Sequence, residues 1–252
     1  MTQLFNTILY QPIFNLLVWL YNVIPGHDIG LAIVALTVII KLILYPLSLQ
    51  SIKAQKAMKD LQPKIEDLKK RFKDNKEQLS REMMSLYKRE KINPASSCLP
   101  LLVQLPFFIA VYRVFRTGLT NGSLDMLYPF IHNPGTLNPV TLGFVNLANP
   151  NIYLALLAGA AQFWQAKMMV TKQPPKQVAN KEGSKDEGIT AAMNKQMLYI
   201  MPVITVVIGM SLPGGLALYW FITTLLMALQ QLYFFKKDGK NAEKVEVSQE
   251  SK

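Results

Sequence analysis

Lys41 stands in the middle of the apolar run VALTVIIKLILYPLSL, Val34 to Leu49, and is the only charge between Ile29 and Ile52. A helix starting near Leu31 would carry it about 15 Å inward, half of a hydrocarbon core about 30 Å thick. A lysine at that depth costs roughly 2.5–3.5 kcal/mol on insertion scales. A carboxylate partner would offset the cost, yet no Asp or Glu falls within any of the long apolar runs. Thr37 and Tyr45 lie one turn to either side and Ser48 a further turn on, so a continuous helix would align Thr37, Lys41, Tyr45 and Ser48 on one face. Pro46 removes one backbone donor and deprives the Leu42 carbonyl of its usual helical partner, a defect tolerated beside water or another helix. Two readings stay open: a neutral or snorkelling lysine in a structural network, and a hydrated cationic groove that receives something anionic or polar.

Other reactive types are sparse. Cys98 is the only cysteine, so no intrachain disulfide can form, and its place at the end of an apolar run suggests packing. His27 and His132 fall in different loops, a poor basis for a metal site. No phosphate-cradling glycine loop, nucleophile elbow or HExxH zinc motif occurs. The expectation is a protein that is not an enzyme and needs no cofactor. Its work would be driven by burial free energy, the membrane potential or a partner.

The elements that must position Lys41 follow from the charge-free stretches 29–52, 92–112, 126–166 and 196–235. A spanning helix needs about 20 mainly apolar residues, so the first two fit one span each. The third opens with YPFIHNPGTLNPVTLGFVNLANPN, rich in Pro, Asn and Gly, which reads as loop and leaves a span over 152–169. The fourth is broken by SLPGG into spans over 196–212 and 214–234. The predicted fold is all-α, a multi-pass membrane protein with a five-helix transmembrane core. The first segment, LFNTILYQPIFNLLVWLYNVI, lacks the basic start of a signal peptide. It reads as an N-terminal helix lying in the outer interface, with a sixth span that would put Met1 inside as the alternative.

Orientation comes from lysine and arginine. Of the 27, 13 fall in 53–91, six in 167–195 and five in 236–252, leaving Lys41, Arg113 and Arg116. The segments 1–30 and 117–150 hold none. The basic segments are therefore read as cytoplasmic, with the N-terminus outside and the C-terminus inside a plasma membrane. Arg113 and Arg116 fall at the outer end of the second span, where snorkelling accommodates them. The net charge of +11 is thus explained by topology, and no specific nucleic-acid binding is expected. Within 53–91, Met58, Leu61, Ile65, Leu68 and Phe72 keep heptad spacing, KDN interrupts, and Leu79, Met83 and Leu86 resume it. This predicts an antiparallel cytoplasmic helical hairpin with one narrow apolar seam. The organisation expected is an external interfacial helix over 1–27, a core over 28–235 including the hairpin, and a basic cytoplasmic tail over 236–252.

The run GLAIVALTVIIKLILYPLSLQSIKAQKAM, then NPASSCLPLLVQLPFFIAVYRVF, then GLALYWFITTLLMALQQLYFF closely resembles the YidC/Oxa family of membrane protein insertases over about residues 8–235. The resemblance implies five core spans, a cytoplasmic hairpin, and a hydrophilic groove open to cytoplasm and lipid that holds a basic residue, usually arginine. Lys41 occupies that position, keeping the charge without the planar fork of donors. By the same resemblance Gln162 or Gln165 in the third span and Trp220 in the fifth face the groove, and Thr223 or Thr224 stands where the family often carries asparagine. The large periplasmic domain of some members is absent here, and the short tail argues against strong ribosome tethering. The implied partners are nascent membrane proteins and the lipid bilayer, with a ribosome and a Sec-type translocon as further ones. Clients would dock on the hairpin at Phe72 and Leu79, then pass from the groove into lipid. The rival classes are a small-solute or ion transporter, against which the lack of intramembrane carboxylates counts, and a structural subunit of a larger translocase.

Overall fold

A computed structural model describes residues 2–72, 75–93, 99–118, 123–169 and 196–250. Cys98 and most of the segment between the third and fourth apolar runs lie outside them. The helices are α1 Thr2–Phe5, α2 Gln11–Val23, α3 Ile29–Ile43, α4 Tyr45–Asp60, α5 Gln62–Arg71, α6 Lys76–Arg89, α7 Leu99–Arg113, α8 Ile152–Met169, α9 Met201–Gly209 and α10 Gly214–Glu250. Wider π-type turns precede α2 (Asn6–Tyr10), follow α7 (Val114–Gly118) and precede α9 (Gln196–Ile200). The chain forms two compact units. One comprises Met1–Tyr45, Pro100–Gln162 and Pro202–Leu226, the other Pro46–Leu99, Phe163–Met201 and Met227–Lys252.

In the first unit α2 and α3 pack against each other. Phe14, Leu17, Val18 and Tyr21 recur at the spacing of one helical stripe, and all are buried. Ile29, Ala32, Ile33, Leu36 and Ile40 form the matching stripe on α3, also buried. Ala110, Val111, Val114, Phe115, Leu147, Leu216 and Tyr219 complete this core. Asn15 is buried on the same face of α2, where it accepts from the amide of Tyr128 at 2.6 Å and donates to the Met126 carbonyl at 3.1 Å. The opposite side of the N-terminal segment exposes Leu4, Ile8, Trp19 and Val23, an apolar outer face of the kind an interfacial helix presents to lipid.

The first apolar run departs from the expected single helix. It breaks at Leu44, whose ψ of 2° is not helical, and restarts at Tyr45. Pro46 is the physical cause: it cannot donate to Leu42, whose carbonyl is met instead by the Leu44 amide, which also keeps its helical bond to Ile40. One continuous helix among those described, Gly214–Lys236, is by itself long and apolar enough to cross a membrane, with mean hydropathy 1.4. Ile29–Ile43 and Tyr45–Asp60 meet that test only as a broken pair. The fourth run is helical over Gln196–Gly209, shorter than the expected 196–212. The loop before α8 folds back as a short antiparallel pair, β1 Val140–Thr141 with β2 Val145–Asn146.

In the second unit α5 and α6 pack against each other. Leu61, Leu79 and Leu86 are buried, and Ile65, Leu68, Phe72 and Met83 are half-buried. Asn75, read as an interruption, caps α6 by accepting from the Gln78 amide at 3.0 Å. Lys64 and Glu90 pair at 2.6 Å across the open end, and this pairing holds the Glu90 carboxyl below its usual range. The tail continues as helix, since α10 runs unbroken to Glu250.

Candidate functional site

Lys41 lies thirteen residues into α3, about 18 Å along its axis. Thr37 and Lys41 share the inward face with Ile33, Leu36 and Ile40, and Lys41 is 7 % exposed. The opposite face presents Leu31, Val38, Leu42 and Ile43 outward. The lysine therefore points away from the face that apolar chemistry fits to lipid. Among the described residues its ammonium makes no hydrogen bond and no ion pair. The Thr37 hydroxyl is occupied, donating to the Ile33 carbonyl at 2.6 Å. The break at Leu44 interrupts the aligned stripe expected from spacing alone. Thr37 and Lys41 keep their common face, while Tyr45 (exposed) and Ser48 (half-buried) belong to α4.

Several other polar groups of the first unit are matched in pairs. The Thr205 hydroxyl on α9 donates to the side-chain carbonyl of Gln162 on α8. The side-chain amide of Gln104 on α7 donates to the Tyr219 phenol on α10. Trp220 meets Phe108 edge to face, with ring centroids 5.5 Å apart. Thr223 and Thr224 are buried. Gln165 is half-buried one turn beyond Gln162 and falls in the other unit. Sequence reasoning missed Gln104, Thr205 and Tyr219. The available signal was that Gln104 is an amide set among apolar residues of a charge-free run, a residue type that must find a partner when buried. What the arrangement leaves available is a cation with three donors, one turn from a Thr37 hydroxyl that is already used.

Arg113 donates to Asn6 at 3.0 Å and lies over the Phe5 ring, while Arg116 lies over Tyr112. His27 is held by the Tyr21 carbonyl at 3.0 Å.

A second feature of the first unit gathers helix starts on one loop. Asp28 caps α3, accepting from the amides of Gly30 at 2.8 Å and Leu31 at 3.1 Å. The same carboxylate accepts from the Thr141 hydroxyl and the Leu142 amide. Burial opposes ionisation, but the bonds from Thr141, Leu142, Leu31 and Gly30 outweigh it and hold the Asp28 carboxyl below its usual range. Gly30 is required by proximity, because a Cβ there would fall 2.2 Å from the Thr141 hydroxyl. Asn151 caps α8 through the amides of Tyr153 and Leu154. The first amides of α10, Gly214 and Gly215, donate to the carbonyls of Asn149 and Leu147 at 2.9 Å each. The starts of α3, α8 and α10 thus all bind residues 141–151.

Comparison with known proteins adds the following. A profile of the family described as 60Kd inner membrane protein matches residues 19–241. A membrane protein insertase YidC of Fusobacterium nucleatum is 32 % identical over 231 residues, covering 91 % of this chain and 98 % of that one. Another of Endomicrobium trichonymphae is 33 % identical over 90 % of this chain and 39 % of its own length. A third, of Magnetococcus marinus, is 34 % identical over 91 % and 36 %. The chain thus spans nearly all of the first relative and under two-fifths of the other two. A crystal structure of an active YidC insertase superposes with a TM-score of 0.59 at 26 % identity, over 91 % of this chain and 46 % of that one.

Proposed function

The chain belongs to the 60Kd inner membrane protein family, whose curated relatives are membrane protein insertases, and we propose that it inserts clients through a cationic groove built around Lys41. It is a membrane protein, and its task is to move client segments from the cytoplasm into the bilayer. The observation that carries the groove reading is Lys41 itself: far along α3, turned to the inward face, and without an acidic or hydrogen-bonding partner among the described residues. A buried ammonium left unmatched is costly, so the position makes sense if water or a client's acidic or polar segment supplies the missing acceptors. Thr37, Tyr45, Gln162 and Trp220 of the same unit are assigned to the groove with it.

Five spans, with the N-terminus outside and the C-terminus cytoplasmic, form the proposed topology. The lysine and arginine count supports it. So does the gathering of three helix starts on one loop, because the first, third and fifth spans must all begin on the same side of the membrane. The basic hairpin then lies in the cytoplasm, where it meets clients first. Phe72 near its tip offers the contact, and Leu79 joins when the narrow seam opens. A client's short external segment enters the groove, water held part-way across shortens the apolar barrier, and the client's apolar segment moves sideways into lipid. Burial of that segment, at about 25 cal/mol per Å², drives the step. No covalent chemistry is needed. A ribosome or a Sec-type channel would deliver clients at the hairpin.

The test is reconstitution of the purified protein, alone, into liposomes with one small single-span client. Protease-protected client above the level in empty liposomes is expected. Insertion no better than in empty liposomes, with the protein correctly folded, would overturn the reading.

A further inference from the structure

We propose that the β1–β2 turn of the external loop is a lipid anchor, inserting Leu142 and Phe144 into the interfacial layer of the outer leaflet. The proposal rests on the topology given above. At this turn Leu142 is 66 % exposed and Phe144 79 % exposed. A two-stranded turn facing water is ordinarily built from Asn, Gly or Asp, yet here a leucine and a phenylalanine flank Gly143. Leu142 also holds a φ of +51°, which a branched side chain rarely adopts. The Asp28 carboxylate fixes it there, accepting the Leu142 amide at 2.7 Å and the Thr141 hydroxyl beside it.

The turn is therefore held at the level where α3 begins, with Leu31 exposed on the first turn of that helix. The other bonds of the loop tie it to the starts of α8 and α10, and α8 opens with Ile152 and Tyr153 exposed. The apolar tip thus sits at the outer ends of spans, not on a stalk in water. No charge occurs from Met126 to Ala166, so nothing opposes contact with lipid and no ionic complement for a protein partner is offered. Asn133, Thr136 and Asn138 precede the tip and are exposed, and Asn146 follows it in β2, so the tip itself carries only Leu142, Gly143 and Phe144. Apolar side chains at the headgroup boundary gain burial without crossing the bilayer, and a patch left in water would be a liability. Lipid of the outer leaflet is the occupant these features fit.

The experiment uses the full chain in proteoliposomes, in a Cys98→Ser background, with a polarity-sensitive thiol fluorophore at Phe144→Cys or at Thr136→Cys. The label at 144 should emit blue-shifted, be quenched by lipid carrying a headgroup-level nitroxide, and be shielded from aqueous iodide. The label at 136 should behave in the opposite way. Iodide quenching at 144 as strong as at 136 would overturn the anchor. Topology is read separately, by reacting Thr136→Cys with an impermeant thiol reagent in right-side-out vesicles. Labelling there only after the vesicles are opened would instead overturn the topology on which the proposal rests.

Discussion

The side-chain amide of Gln104 donates to the phenol of Tyr219, joining the one amide in the body of α7 to the largest fully buried side chain among the described residues, on α10. Both groups sit in helices whose neighbouring residues are almost wholly apolar, so each is the other's means of avoiding an unmatched polar group in a dry setting. Gln104→Leu should lower thermal stability in nanodiscs by about 0.6–1.7 kcal/mol, the range for interhelical hydrogen bonds in membranes. Tyr219→Phe should cost a similar amount, and the double variant should cost less than the sum of the two. Strict additivity would mean that the pair contributes nothing.

The Asp28 clasp predicts a pH dependence with a definite sign. Its carboxyl is held below the unfolded value, near 3.9. Its stabilising contribution is therefore fully present above that value and is lost as pH falls through the lower folded value. Asp28→Asn should lower the unfolding midpoint at pH 7 by the equivalent of about 1–3 kcal/mol. The gap to the parent protein should close progressively below about pH 4. A gap that is constant down to pH 2 would remove the charge from the account.

Helices α8 and α9 approach closely because glycine permits it. A Cβ on Gly159 would fall 2.4 Å from a Val206 methyl, and one on Gly209 would fall 3.0 Å from the Cβ of Ala155. Small residues at such crossings are the usual means of close helix contact in membranes. Gly159→Ala should destabilise by about 1–3 kcal/mol through overpacking, and Val206→Ala should restore part of the loss. Failure of Val206→Ala to rescue would place the strain at the Pro202 carbonyl instead, 3.1 Å from the same position.

For Lys41, sign should matter more than shape. Lys41→Arg should keep insertion activity. Lys41→Glu should lower insertion of clients with acidic translocated segments by about tenfold or more, since juxtaposed like charges cost several kcal/mol. Lys41→Ala should be tolerated by less acidic clients. Equal activity of the glutamate variant on acidic clients would end the attraction account.

Water access separates Tyr45 from Ile43, which are both exposed at the protein surface but sit on opposite sides of the break at Leu44. In a Cys98→Ser background, cysteine at 45 should react with an impermeant thiol reagent from the cytoplasmic side. Cysteine at 43 should stay slow, because thiolate does not form in lipid. Cysteine at the fully buried Thr37 position should also be slow until a client opens the site. Rapid labelling at 43 would mean that the outward face of α3 meets water, not lipid.

Composition and charge alone carried much of this protein. The charge-free runs located apolar helices, the lysine and arginine count underlies the proposed orientation, and heptad spacing marked the residues half-buried or buried along α5 and α6. Each depends on local chemistry: apolar length against bilayer thickness, cations against translocation, and a 3.5-residue seam. Lys41 was equally visible, because a lone charge in an apolar run needs no fold to be conspicuous. Tertiary structure decided what depends on partners distant in sequence. Pro46 signalled a lost hydrogen bond, but only the three-dimensional chain shows that the helix breaks at Leu44 and restarts at Tyr45. Nothing near Asp28 in sequence foretold its bonds to Thr141 and Leu142, more than a hundred residues on. Gln104 and Tyr219 likewise found each other across 115 positions. Burial of a polar group fixes that it must be matched, but which group matches it is settled only when the helices pack.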